Sequence, residues 1–174
     1  MVRRVEVVPQ NSGWIALFQA ESIHISGLLE DIAIRIHHFG STSIPTIHAK
    51  PIIDILLEVD SLSRLDQKVE AMRSLGYQDM GEFGIPGRRY YRKNNSSGIR
   101  THHVHAFESN NPEIDRHLAF RDYMIAHPVE AQMYCELKQH LAQKYPEDIE
   151  AYMDGKDPFI KEHEVKALQW WSTR

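Results

Sequence analysis

An α+β or α/β fold in one domain is the architecture this sequence predicts, and three observations lead there. Apolar residues recur at helical spacing from Trp14 to Ile32 and again from Leu62 to Leu75. Short β-prone runs, Ile34 to Phe39 and Ile52 to Val59, alternate with them, and beyond about position 110 the chain turns to helical segments punctuated by proline. A chain of 174 residues buries roughly 70% of the surface that its unfolded form exposes, enough for a substantial core.

The elements follow in order. Val5 to Val8 is a short β-prone entry, closed by Pro9 and the turn-forming Asn11-Ser12-Gly13. Trp14, Leu17, Phe18, Ile25, Leu28, Leu29 and Ile32 mark an amphipathic helix expected to lie across a sheet. Ile34 to Phe39 reads as a strand, the Gly40 segment as a turn, and Ile52 to Val59 as a central strand, because a nearly continuous apolar run is buried on both faces. Leu62, Leu65, Val69, Met72 and Leu75 predict a second helix with Gly76 as its stop. Tyr77 to Met80 follows as a short strand. Arg88 to Lys93 and Ile99 to Phe107 flank Asn94-Asn95-Ser96-Ser97-Gly98, a hairpin signal. Pro112 starts the first later helix, Pro128 and Pro146 each end one and start another, and Asp157-Pro158 is expected to cap the last.

Composition narrows the function classes. The chain is 42% hydrophobic and 25% charged, as in ordinary globular proteins, so all of it is expected to fold. A formal net charge of -4 argues against a protein that works by coating nucleic-acid phosphates. One cysteine, Cys135, excludes an internal disulfide and any cysteine-rich zinc motif. Arg3 and Arg4 are followed by Pro9, Gln10 and Asn11 rather than by an apolar leader, and no apolar run is long enough to span a bilayer. A cytoplasmic location without membrane attachment is the expectation; oligomeric state is left open.

Chemistry concentrates in two places. Gly40-Ser41-Thr42-Ser43 offers hydroxyls, backbone N–H groups and a glycine that permits close approach to an anion, yet it matches neither a Walker A loop nor a Gly-x-Gly-x-x-Gly fingerprint. On local wording a β-turn or helix cap is the plainer reading. Asp54 then stands alone in the apolar run Ile52 to Val59, and a buried carboxylate needs compensating donors or a cation. By period 2 it shares a face with Ile52, Leu56 and Glu58. In Thr101-His102-His103-Val104-His105 the same period places His103 and His105 together and His102 on the other face. Two imidazoles so spaced can meet one cation, although a lone His-x-His equally suits a half-exposed strand. His38 is a further candidate by proximity. The basic run Arg88, Arg89, Arg92, Lys93 and Arg100 carries guanidinium groups suited to phosphate, or else is a solvated edge. Arg89 and Arg92 are the candidate phosphate ligands here, although their odd spacing puts them on opposite faces; Arg88 with Arg92, or Arg89 with Lys93, would share one. Lys50, before the central strand, is another. His163 and the Trp170-Trp171 pair read as packing.

The Gly-Ser turn followed by an acidic residue on the next strand resembles the signature of the nucleotidyltransferase superfamily. More narrowly, Gly-Ser-Thr-Ser-Ile-Pro from 40, Ala-Lys-Pro-Ile-Ile-Asp-Ile from 49, Gly-Ile-Pro-Gly-Arg-Arg-Tyr from 84, Thr-His-His-Val-His from 101 and His-Leu-Ala-Phe-Arg-Asp-Tyr from 117 resemble the GrpB family. Tyr145-Pro146 and Gly155-Lys156-Asp157-Pro158-Phe159-Ile160 fit too. The resemblance implies a mixed β-sheet flanked by helices with a C-terminal helical cap: one domain over 1–174, with the sheet core to about 110 and helices from about 111. It implies metal-dependent transfer of a nucleoside monophosphate from a nucleoside triphosphate to an unidentified acceptor hydroxyl. Gly40, Ser41, Thr42, Lys50, Arg89 and Arg92 would hold phosphate, and Asp54, His103 and His105 would form the catalytic metal centre for Zn, Mn or Mg. One oxygen and two nitrogens favour a single borderline-soft ion over Mg²⁺. His117 or Arg121 would face the cleft, unless they form surface ion pairs. The family also implies a link to coenzyme A biosynthesis, since its domain is sometimes fused to kinases of that pathway. Leu56 stands where the superfamily has a second carboxylate, which opens two alternatives: a noncatalytic nucleotide- or coenzyme A-binding regulatory module, or a metallohydrolase.

Overall fold

The computed structural model describes residues 4–174, so Arg3 lies outside the described residues. Helix α1 (Gly13–Leu28) leads into β1 (Ala33–Phe39), a turn of 3-10 helix at Ser41–Ser43, and β2 (Ile53–Val59). Short helices α2 (Leu62–Asp66) and α3 (Val69–Ser74) precede β3 (Tyr77–Asp79), β4 (Arg89–Asn94) and β5 (Arg100–Glu108). Three long helices end the chain: α4 (Pro112–Ala126), α5 (Pro128–Lys144) and α6 (Ile149–Ser172). The fold is α+β, with a five-stranded mixed sheet of order β1-β2-β5-β4-β3. Among the described residues only the β2–β5 pair is parallel.

The chain divides into two compact units. The sheet unit comprises Ser12–Gly40 and Ile52–Ile114. One face of its sheet carries Ile53, Ile55, Leu57, Val59, Val104, Ala106 and Tyr91, all buried, and α1 lies against β1 and β2. The opposite face carries Asp54. As its apolar run predicts, β2 is interior, between β1 and β5. The β4–β5 hairpin turns through Asn95 to Gly98. Asn95 Oδ1 accepts from the amides of Ser97 and Ile99, and Gly98 takes a φ of 79°.

The helical unit comprises the described residues up to Asn11, Ser41–Pro51 and Asp115–Arg174. Its core joins Ile44 and Ile47 to Ala119, Tyr123, Met124, Ala131, Tyr134, Cys135 and Ala167, with Trp170 and Trp171 packed against them. His163 is 2% exposed and stacks on Phe159, the packing role its spacing predicts.

Three local expectations are corrected. Val5 to Val8 makes a single bridge, Val8 to Ala49, rather than a strand. The helix from Leu62 to Leu75 divides at Gln67-Lys68, where no glycine or proline marks the break. Asp157-Pro158 does not cap the last helix, because α6 runs unbroken through Pro158 from Ile149 to Ser172. Tyr152, Lys156, His163 and Ala167 are buried on both sides of the proline, so tertiary packing outweighs the missing backbone donor. Pro158→Ala is therefore expected to stabilise the protein by about 1–3 kcal/mol, seen as a higher urea midpoint at unchanged slope. A lower midpoint would show that the ring itself packs productively.

Candidate metal centre

The register of three strands builds the site. On β2, Asp54 lies opposite Phe39 of β1 and His103 of β5, and Leu56 lies opposite His105. On β4, Tyr90 lies opposite His105 and Arg92 opposite His103. Alternation then puts Asp54, His103, His105, Tyr90 and Phe39 on one face. His103 Nδ1 is 3.3 Å from Asp54 Oδ1, and His105 Nε2 is 3.9 Å from the same oxygen. Each side chain is only partly exposed.

Gly40 determines how closely the backbone can approach this carboxylate. Its φ is 73°, and a Cβ placed on it would lie 2.5 Å from Asp54 Oδ2. Glycine is thus required twice here, for the left-handed turn and for space.

Two arginines stand behind the histidines. Arg88, 6% exposed, donates to the carbonyl oxygens of Glu82 and Phe83 and approaches His105 Nδ1 at 3.2 Å. Arg100 Nη1 approaches His103 Nε2 at 3.3 Å, and its Nε donates to Asn94 Oδ1. A guanidinium only donates, so each ring turns its lone pair to arginine and its N–H toward Asp54. Tyr90 packs edge-on against both imidazoles and lies under the Arg88 guanidinium. Burial pushes its phenol above the ordinary range, and Asp54 adds to this against the opposing pull of Arg100, Arg92 and Arg88. It remains a neutral phenol near pH 7.

The donor set fits a metal ion. One oxygen and two nitrogens, one atom from each residue, lie within 4.8 Å of one another. Tetrahedral ligands at about 2.0–2.1 Å from zinc stand roughly 3.4 Å apart, close to the Asp54–His103 separation and slightly inside the Asp54–His105 one. A metal-bound imidazole carries its remaining proton on the outward nitrogen, so coordination requires both arginines to turn from the rings.

The remaining predicted residues have these surroundings. Arg89 lies on the opposite face of the sheet, bound by two hydrogen bonds to Asp66, whereas Arg92, opposite His103, is on the face of the site and donates to Gln78. His38 stacks on Phe18 on the α1 side. Ser41, Thr42 and Lys50 belong to the helical unit, where Thr42 is buried and Lys50 lies beside the Tyr152 ring. Arg116 pairs with Glu164 and Arg121 with Asp122. Arg88 and Arg100, both in the basic run but not chosen from it as phosphate ligands, are the arginines that approach the two histidines. Period 2 from Tyr90 would have pointed to Arg88.

The sequence profile of the GrpB protein family matches residues 4–166. A crystal structure of the conserved protein GrpB from Enterococcus faecalis superposes with a TM-score of 0.91 at 41% identity, over 95% of this chain and 99% of that one. The UPF0157 protein YqkA of Bacillus subtilis is 46% identical over 97% of this chain, which spans 48% of that protein's length. The glutamate-rich protein GrpB of Alkalihalophilus pseudofirmus is 34% identical, with coverage of 91% and 92%. A dephospho-CoA kinase of Mycolicibacterium paratuberculosis is 26% identical over 95% of this chain and 46% of its own length. The Cid1 poly(U) polymerase with MgGTP bound superposes at a TM-score of 0.54 and 13% identity, a likeness of fold covering 79% of this chain and 44% of that one. Among the described residues no helix is long and apolar enough to cross a membrane.

Proposed function

Because this chain belongs to the GrpB family and shares its fold with a nucleotidyltransferase, we propose that it binds a nucleoside triphosphate and transfers the nucleoside monophosphate to an acceptor hydroxyl with the help of one divalent ion. The observation that carries this reading is the convergence of Asp54, His103 and His105 on one face of the sheet beside Gly40. Asp54 Oδ1, His103 Nδ1 and His105 Nε2 would hold the ion. When bound, such an ion draws charge from phosphoryl oxygens and orients them for in-line attack. Arg88 and Arg100, once turned from the rings, place two permanent charges where a phosphoryl group gathers negative charge. The amide beside Gly40 approaches an oxyanion without a side chain intervening.

Ser41, Thr42 and Lys50 remain proposed phosphate contacts on their wording alone. Arg89 and Arg92 would first have to leave Asp66 and Gln78. The likeness to proteins named dephospho-CoA kinase supports a link to coenzyme A metabolism in the same proposal. Leu56, fully buried at the position two residues beyond Asp54, favours a second reading in which the centre binds nucleotide or a coenzyme A-like ligand without turnover.

Calorimetric titration with Zn²⁺ and Mn²⁺ tests the centre. One ion per chain is expected, with affinity falling at least tenfold in Asp54→Asn and in His105→Ala. Unchanged stoichiometry and affinity in both variants would remove the metal. Release of pyrophosphate from a labelled triphosphate then separates the two readings, since binding without release is the outcome expected of the noncatalytic module.

A further inference from the structure

The loop 81–87, between β3 and β4, carries an exposed aromatic ring beside the candidate metal centre. Four of its residues have positive φ: three are glycines, Gly81, Gly84 and Gly87, and the fourth is Phe83 at 48°. A bulky side chain in the left-handed region is strained, and such positions persist where the surroundings fix them, most often at functional sites. The surroundings here do so. Arg88 donates through Nε and Nη2 to the carbonyl oxygens of Glu82 and Phe83 at 3.1 and 2.8 Å. The Glu82 carboxylate accepts from the Gly87 amide at 2.6 Å, and the Tyr90 amide donates to the Gly81 carbonyl at 2.8 Å.

This clamp seats Phe83 on Tyr90, with ring centres 5.2 Å apart and planes 20° from parallel. One face of the phenyl ring is thereby covered, yet Phe83 remains 56% exposed, so its other face meets solvent. Tyr90 projects from the face of the site and packs against His105 and His103 at 5.2 and 5.5 Å between centres. Phe83 therefore lies over that face, one ring away from both imidazoles. Arg88 links the two a second time, since the same guanidinium meets the Phe83 carbonyl and His105 Nδ1.

We propose that the open face of Phe83 is the stacking platform for the base of a nucleotide whose phosphates reach the metal centre. This rests on the nucleotide reading given above and adds a base subsite to it. A phenyl ring has no hydrogen-bonding edge, so it recognises a base by the π-face that all bases share, giving affinity with little discrimination among them. Stacking also removes the exposed ring from water. The Phe83 ring lies within twice 5.2 Å of the His105 ring, a span that a ribose and its phosphates bridge.

Calorimetry of the full chain with α,β-methylene-ATP in Mn²⁺, compared with inorganic triphosphate in Mn²⁺ and with Mn²⁺ alone, is the test. Phe83→Leu is expected to weaken the nucleotide analogue about fivefold or more while leaving inorganic triphosphate and Mn²⁺ alone at wild-type affinity. Phe83→Tyr keeps the ring and is expected to bind the analogue as the wild type does. Wild-type affinity for the analogue in Phe83→Leu, or a loss in Phe83→Tyr as large as in Phe83→Leu, would overturn the platform and leave the nucleotide reading standing. A matching loss of triphosphate or Mn²⁺ affinity in Phe83→Leu would also overturn it, because the ring would then serve the centre and not the base. Failure of the wild type to bind the analogue at all would remove the nucleotide reading and the subsite with it.

Discussion

Gly40→Ala is expected to weaken metal binding by about 10–100-fold, the range seen when a ligand's support is disturbed. It is also expected to lower stability by about 1–2 kcal/mol, the cost of a side chain in the left-handed region. The new methyl would lie 2.5 Å from Asp54 Oδ2 and 3.0 Å from its Cβ, so the carboxylate must move. Metal centres tolerate displacements of only about 0.2 Å from ideal ligand distances, which makes this shift costly. Gly98→Ala is the control. Gly98 has a similar φ of 79° in the hairpin turn but nothing within 4 Å of its Cβ position. It shares the backbone cost and is expected to leave metal affinity alone. Equal metal affinity in the two variants would show that Gly40 serves the turn and not the carboxylate.

Glu21→Gln is expected to cost about 2–3 kcal/mol at pH 7, measured by urea unfolding. Glu21 is 6% exposed on α1, and its Oε1 accepts from Tyr77 Oη at 2.7 Å and from Lys93 Nζ at 3.0 Å. His102 Nε2 lies 4.0 Å from the other oxygen. Burial alone would raise this carboxyl. The hydrogen bonds from Tyr77 and Lys93, with the charges of His102 and Lys93, outweigh it and hold the group below its ordinary 4.5. A carboxyl lowered on folding stabilises the native state above its unfolded value, and that contribution is lost as pH falls through the folded one. The gap between wild type and Glu21→Gln should therefore be full at pH 7 and narrow progressively below about pH 4.5. A gap that is absent at pH 7, or constant down to pH 3, would show that this network does not stabilise the fold. The same cluster explains His102: burial pushes its imidazole below the usual range, against the pull of Glu21, so it packs as a neutral ring on the α1 side.

The one-dimensional pattern determined much of this molecule. Period 2 alone separates His102 from His103 and His105, and sets Asp54 on a different face from Ile53 and Ile55, because successive side chains in a strand must alternate. The apolar run of β2 announces an interior strand, and the proline-punctuated second half announces helices. The wording around Gly40, Asp54 and the histidines identifies the family.

Tertiary structure decided what alternation leaves open. That Asp54 lies opposite His103 depends on a parallel register between strands 49 residues apart, and no local preference specifies it. Arg88 and Arg100 reach the rings because β4 and β5 pair antiparallel with a shift between Lys93 and Asn94, which brings Arg100 opposite Asn94. Helix propensity reads Pro158 as a boundary, but buried residues on both sides carry α6 through it. Nothing in the chain marks Lys138 and Lys156 as buried, at 2% and 8% exposed. Packing seats Lys138 on the Tyr134 ring and Lys156 on the Tyr152 ring, since burial exists only in three dimensions.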